Sequence, residues 1–238
     1  MIRIGMITPS SNTTLEPVTS ALIAGQPIQC PVTRIRVQRI ALDGAGADFD
    51  VDTFVTAAEL LADAKVDAIA WNGTAGPWLG VDHDRRICTA ITEATGVPAT
   101  TATLGMLEAY RALGAVKIAL ATPYTSDVAE AIERQYAELG LTVTGRVELG
   151  LSDNYSFATQ PPEVITDLVE RAAAGGNAEA VAMVCTNVDA ASCSASVEGR
   201  LGIPVVDSIV ATLWHALHLA GQPRPISGYG RLLEVSGG

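Results

Sequence analysis

The chain says the same short phrases twice, and that repetition limits its fold more than any other feature. Ile4-Gly5-Met6-Ile7-Thr8-Pro9 returns as Ile118-Ala119-Leu120-Ala121-Thr122-Pro123. Ala68-Ile69-Ala70-Trp71-Asn72-Gly73-Thr74 returns as Ala180-Val181-Ala182-Met183-Val184-Cys185-Thr186. Gly96-Val97-Pro98 returns as Gly202-Ile203-Pro204, and the order is the same in both passes. Each phrase is a short apolar run that stops at turn-forming or small polar residues, the mark of a buried strand. Strands that alternate with helical segments predict an α/β fold with parallel sheets. Two copies predict two similar Rossmann-like half-domains, related by a pseudo-twofold, whose strand ends meet over one cleft. Ligands favour such clefts at the carboxyl ends of strands.

The elements follow from this reading. In the first half, strands are expected over Ile2 to Thr8, Val32 to Ile40, Val66 to Trp71 and just after Gly96-Val97-Pro98. Helices are expected from near Leu15, over Asp52 to Ala64, Arg85 to Thr95 and Leu104 to Leu113. In the second half, the strands are Val116 to Ala121, Leu141 to Leu149, Ala178 to Val184 and a short one after Gly202. The helices are Val128 to Leu139, Pro162 to Ala174, Ser194 to Leu201 and Ile209 to Leu219, and Ser152 to Ser156 reads as a polar loop. The expected division is residues 1–104 with a tail 213–238 joined to them, and residues 105–212.

Bulk properties exclude several functions. The formal charge is −11 with no basic run, which argues against nucleic-acid or anionic-membrane partners. No apolar run approaches the roughly 18 residues of a membrane span. Met1 leads directly into a strand with no signal-peptide pattern, so a cytoplasmic location is expected. Four cysteines (Cys30, Cys88, Cys185 and Cys193) form no C-x-x-C pair, so neither a zinc site nor a redox dithiol is expected. Metal-ligand spacings are thus without support in the sequence.

Cys185 is the leading candidate for chemistry. It closes a buried strand beside Thr186 and Asn187, where a thiol can act as acid or nucleophile. The alternative is that it packs as a small apolar side chain. The loop Pro9-Ser10-Ser11-Asn12 offers hydroxyls and an amide before a helix start, as caps or as an anion site. Thr122-Pro123-Tyr124-Thr125 does the same in the second half. Trp71 and Trp78 flank Gly73, as core residues or as pocket walls for an unsaturated group. Asp82-His83-Asp84-Arg85 reads as a solvated helix start. His215 and His218 read as a packed or capping face rather than a metal pair. Cys30 and Cys88 are structural, whereas Cys193 lies near enough in sequence to Cys185 to be held open.

Pro9-Ser10-Ser11-Asn12, Thr122-Pro123-Tyr124, Asp153-Asn154, Cys185 and the C-terminal Gly228-Tyr229-Gly230-Arg231-Leu232 resemble the aspartate/glutamate racemase superfamily, specifically its branch of maleate cis-trans isomerases and arylmalonate decarboxylases. The resemblance implies a cofactor-independent enzyme acting on a small dicarboxylate, and it leaves a homo-oligomer open. Racemases and maleate isomerases of this superfamily carry one thiol per half. Here the first position is Gly73, as in arylmalonate decarboxylases. One thiol cannot serve both faces of a carbon acid, so a two-base racemase is disfavoured. The resemblance implies decarboxylation through an enediolate, with Cys185 giving its proton to one face. Ser10, Asn12, Gly73, Thr74, Ala75, Tyr124, Thr125, Asn154 and Thr186 would hold the carboxylates and the developing charge. Thr74-Ala75 and Cys185-Thr186-Asn187 depart from the decarboxylase pattern of Thr-Ser and Cys-Gly-Gly. Asn12 and Asn154 are more isomerase-like. Isomerisation of a cis-unsaturated dicarboxylate is therefore the alternative, and metabolite binding without turnover a third.

Overall fold

The computed structural model describes residues 1–37 and 50–235. Its first half runs β1 (Ile2–Pro9), α1 (Leu15–Leu22), β2 (Ile28–Gln29), β3 (Val32–Ile35), α2 (Val51–Asp63), β4 (Ala68–Trp71), α3 (Gly76–Leu79), α4 (Val81–Thr95), β5 (Ala99–Thr101) and α5 (Ala102–Leu113). The second half runs β6 (Lys117–Thr122), α6 (Ser126–Glu138), β7 (Thr142–Glu148), α7 (Asn154–Ala158), α8 (Pro162–Ala172), β8 (Ala180–Met183), α9 (Ala191–Leu201), β9 (Val205–Asp207) and α10 (Ser208–Leu219).

Each half is a parallel sheet of the same order. The second sheet is β7-β6-β8-β9. The first is β2-β1-β4-β5, with β3 also paired to β1. β2 lies beside Ile2 and Arg3, and β3 beside Met6 to Pro9, so together they form one interrupted edge. The break falls at Cys30-Pro31, where Pro31 has no N–H to give. The expected strand Val32 to Ile40 thus ends at Ile35, and its last three residues lie outside the described ones. Among the described residues no helix is long and apolar enough to cross a membrane.

The repeated phrases have equivalent jobs. Gly96 and Gly202 end α4 and α9 in the left-handed region, with φ of 71° and 76°, where glycine carries no steric cost. The prolines that follow hand their carbonyls to the neighbouring strands: Ile69 N–H donates to Pro98 O and Val181 N–H to Pro204 O, both at 2.9 Å. Each half then closes with a capped helix. Thr101 Oγ1 accepts from Leu104 N–H at the start of α5. Asp207 Oδ1 accepts from Ile209 and Val210 N–H at the start of α10. Such caps are worth about 1 kcal/mol each.

The last helices join the halves. α10 packs on α5 and also on β1, β4 and β5 of the first half. A side chain at Gly105 would meet the Ala211 carbonyl at 2.8 Å, so the backbones of α5 and α10 touch there. One apolar core runs from Ile4 and Met6 through this pair to Val181 and Leu213. A smaller core lies on the outer face of the first sheet, where α2 and α4 cover Ile7, Ile69 and Trp71.

Two expectations need correction. Ser152 to Ser156 is not all loop: Asp153 accepts from Ser156 N–H and starts α7. The run Asp82 to Arg85 does start α4, but it is not all solvated, because Asp84 points inward and is 2% exposed.

Candidate active site

β4 and β8 occupy the same place in their sheets. Trp71 lies beside Ile7 on β1, and Met183 lies beside Ala121 on β6. Two residues beyond each, Gly73 and Cys185 border one shared cavity. That cavity measures about 20 Å³, room for about one water. Thr74, Ala75 and Trp71 enclose it from the first half, and Tyr124, Asn154 and Thr186 from the second. Pro9 and Val37 complete an apolar side.

Cys185 is 2% exposed. Its N–H donates to Ser208 Oγ at 3.1 Å, and that hydroxyl donates to Met183 O, which fixes the turn after β8. Burial pushes the thiol up to about 12, against the hydrogen bonds from Tyr124 and from Asn187 N–H that favour the thiolate. The thiol is therefore neutral at ordinary pH, a proton donor in waiting. Tyr124 is likewise held well above its usual range, first by burial and then by the neighbouring thiol. Its hydroxyl lies 2.7 Å from Thr74 Oγ1. Thr74, Tyr124 and Cys185 thus form one hydrogen-bonded row of neutral groups across the joint between the halves.

A second polar cluster ties that joint. Asn12 Nδ2 donates to Thr186 O at 2.9 Å, while its Oδ1 accepts from Thr14 and Leu15 N–H at the start of α1. Asn187 Oδ1 accepts from Thr13 and Thr14 N–H, and its Nδ2 donates to Asn154 O. Asn154 Nδ2 donates to Ser11 Oγ at 2.7 Å. Thr186 Oγ1 donates to Asn72 O at 2.7 Å. Buried amides left without partners cost about 1–3 kcal/mol each, so this reciprocal set holds the two loops in register.

These bonds correct parts of the sequence reading. Asn12 spends its amide on a helix cap and on Thr186, not on an open site. Thr186 lines the cavity but commits its hydroxyl proton to Asn72. Ser10 and Thr125 do not border the cavity: Ser10 Oγ exchanges hydrogen bonds with Val37, and Thr125 sits at the start of α6. Gly73, Thr74, Ala75, Tyr124, Asn154, Thr186 and Cys185 are brought together. Ser11 and Asn187 were missed as linking residues. The signal was present, since both stand in the loops singled out, but neither the partner nor the direction of a side chain is written in a loop sequence.

Other candidates lie elsewhere. Cys193 borders a separate groove of about 140 Å³ with Phe157, Pro162 and Asp189, and its thiol donates to Ala190 O. A roomier groove of about 320 Å³ adjoins it beside α1. Neither borders Cys185. Cys30 and Cys88 are pushed up to about 12 by burial. His215 Nδ1 pairs with Thr100 Oγ1 at 2.8 Å, and His218 Nδ1 lies 2.7 Å from Trp214 O. Among the described residues, no group of three His, Cys, Asp or Glu is placed to hold a metal ion. Trp78 packs edge-to-face on Tyr124, with ring centres 5.2 Å apart.

Comparison with known proteins gives the chain its family and its fold relatives. The family described as arylmalonate decarboxylase matches residues 4–233. Arylmalonate decarboxylase of Bordetella bronchiseptica is 34% identical over 196 residues, covering 80% of this chain and 81% of that protein. A double mutant of arylmalonate decarboxylase in its liganded form superimposes with a TM-score of 0.87 at 29% identity, over 98% of each chain. A maleate cis-trans isomerase mutant of Nocardia farcinica, holding a covalently bound succinylcysteine intermediate, superimposes with a TM-score of 0.89 at 26% identity, again over 98% of each chain.

Proposed function

The chain belongs to the arylmalonate decarboxylase family, and from that premise we propose that it decarboxylates a small substituted malonate without a cofactor. One observation carries the reading: among the described residues Cys185 is the only thiol bordering the cavity it shares with Gly73, and burial keeps it neutral, so a proton would be delivered from its side.

In this reading the bond from the central carbon to one carboxylate breaks, and its electron pair forms an enediolate with the carboxylate that stays. Carbon dioxide leaves. Among the described residues the cavity wall holds no Lys, Arg or His, so the charge is met by Thr74, Tyr124 and the Asn154 amide. Fixed donors of this kind contribute most where water is excluded. Pro9, Val37 and Trp71 make the apolar side disfavour a carboxylate and accept carbon dioxide. The Cys185 thiol then gives its proton to the exposed face of the carbanion. The thiolate left behind is held by Tyr124 and Asn187 N–H until solvent reprotonates it. The cavity is much smaller than a dicarboxylate, so binding requires its walls to part.

The second reading is cis-trans isomerisation of a maleate-like dicarboxylate. It is favoured by the Nocardia farcinica neighbour with its cysteine adduct and by the Asn154 amide in the wall. It asks Cys185 to attack as a thiolate, and burial works against that form. Proton NMR in deuterium oxide separates the two. Substituted malonates should lose one carboxylate and gain one deuterium. Maleate converted to fumarate, with malonates untouched, would replace the first reading by the second.

A further inference from the structure

Gly73 is glycine for a reason the backbone does not supply. It is not among the glycines with positive φ, so an L side chain fits its conformation. What stands in the way is Trp71. A methyl group built on Gly73 would lie 2.2 Å from Cζ2 and 2.4 Å from Cε2 of the indole. That ring is 2% exposed and held edge-to-face against Phe54, with centres 5.0 Å apart under α2. It cannot swing away without opening the outer core. At the equivalent register of the second half the residue is Met183, slim and flexible, and two residues on the chain does carry a side chain, Cys185. The two strands thus obey one rule: a wide residue ends β4 and nothing follows at 73, while a narrow residue ends β8 and a thiol follows at 185.

We propose that Trp71 is the size-determining residue of the Cys185 site: its indole takes the volume of a side chain at 73, enforces glycine there, and limits the size of the substituent a substrate can carry beside its departing carboxylate. The indole borders the same cavity as Cys185, so its bulk is subtracted directly from the space for substrate. The substrate part of this claim rests on the proposed carbon-acid chemistry, whereas the steric part does not.

The experiment is a double-mutant cycle on the full chain, using Gly73→Ala, Trp71→Met and the pair, with Trp71→Leu as a second narrowing variant should Trp71→Met fail to fold. Gly73→Ala alone should lower the melting temperature by roughly 3–10 °C, as overpacking does. In the Trp71→Met background the same change should cost less than about 2 °C. Additive shifts would overturn the proposal. The second readout is the ratio of kcat/KM for a large-substituent to a small-substituent member of whichever substrate class the NMR panel identifies, phenylmalonate and methylmalonate in the first instance. Trp71→Met should raise that ratio by about tenfold or more. An unchanged ratio would also overturn it. A wild-type chain that turns over nothing defeats the proposed function instead, and the melting cycle then decides the role of Trp71 alone.

Discussion

The two halves share a strand order, helix-ending glycines and capped closing helices, yet their strand ends are built for different work. The first half ends β4 with Trp71 and presents the bare backbone of Gly73. The second ends β8 with Met183 and presents a buried thiol. The frame is symmetric, and the residues at the two strand ends make it one-sided. A symmetric pair of thiols would serve both faces of a carbon centre. In the proposed reaction this pair serves one, and Trp71, Pro9 and Val37 line the same cavity.

Four changes would break or sharpen that contrast. The largest effect is expected from Cys185→Ala, which removes the only thiol bordering the cavity among the described residues. Turnover should fall by about 10³-fold, within the range for a general acid, with the circular dichroism spectrum intact. Retained turnover would move the chemistry out of the second half. Tyr124→Phe leaves the ring against Phe157 and Trp78 but deletes the hydroxyl shared by Thr74 and the thiol. A loss of about 10²-fold in kcat is expected, with a smaller change in KM.

Asn187→Ala tests the joint rather than the chemistry. It strips Thr13 N–H, Thr14 N–H and Asn154 O of a partner and should cost about 1–3 kcal/mol in urea unfolding. The smallest effect concerns pH. Asp84 is buried against Gly76 and pushed up to about 6, mainly by burial and in spite of Thr101 and Thr103. The folded chain therefore holds this proton more tightly than the unfolded one. Its contribution is full below the ordinary carboxylate range and is lost as pH rises through about 6. Asp84→Asn should remove about 1–2 kcal/mol of the stability loss between pH 5 and pH 8. Asp207, pushed up to about 7 by burial, and Glu198, also raised by burial, contribute to the remaining loss with the same sign. A variant whose stability falls as steeply as the parent's would show that Asp84 is not the buried acid responsible.

Much of the frame was legible in the chain. Paired phrases such as Ile4 to Pro9 and Ile118 to Pro123 carry strand, turn and register together, because a strand buried on both faces must be apolar throughout. The break of the first edge at Pro31 and the short α7 were not legible. Both depend on what a neighbouring strand or a single cap does to a few residues. The lining of the cavity was legible in part. Cys185, Gly73, Thr74 and Tyr124 stand at strand ends, where the backbone determines their position. Asn12 and Asn187 were misjudged or missed because amides in loops bind whichever partner comes within about 3 Å, and that partner lies 174 residues away in the chain. The indole under Gly73 was visible as a tryptophan but not as the reason for the glycine.

The central claim is one neutral thiol acting on one face. The most direct measurement is the stereochemistry of deuterium incorporation when a malonate with a prochiral centre is turned over in deuterium oxide. The account predicts a single enantiomer with one deuterium, and no further exchange when that product is returned to the enzyme. A racemic product, or a product whose deuterium washes out on re-exposure, would require a second base opposite Cys185 and would contradict the account.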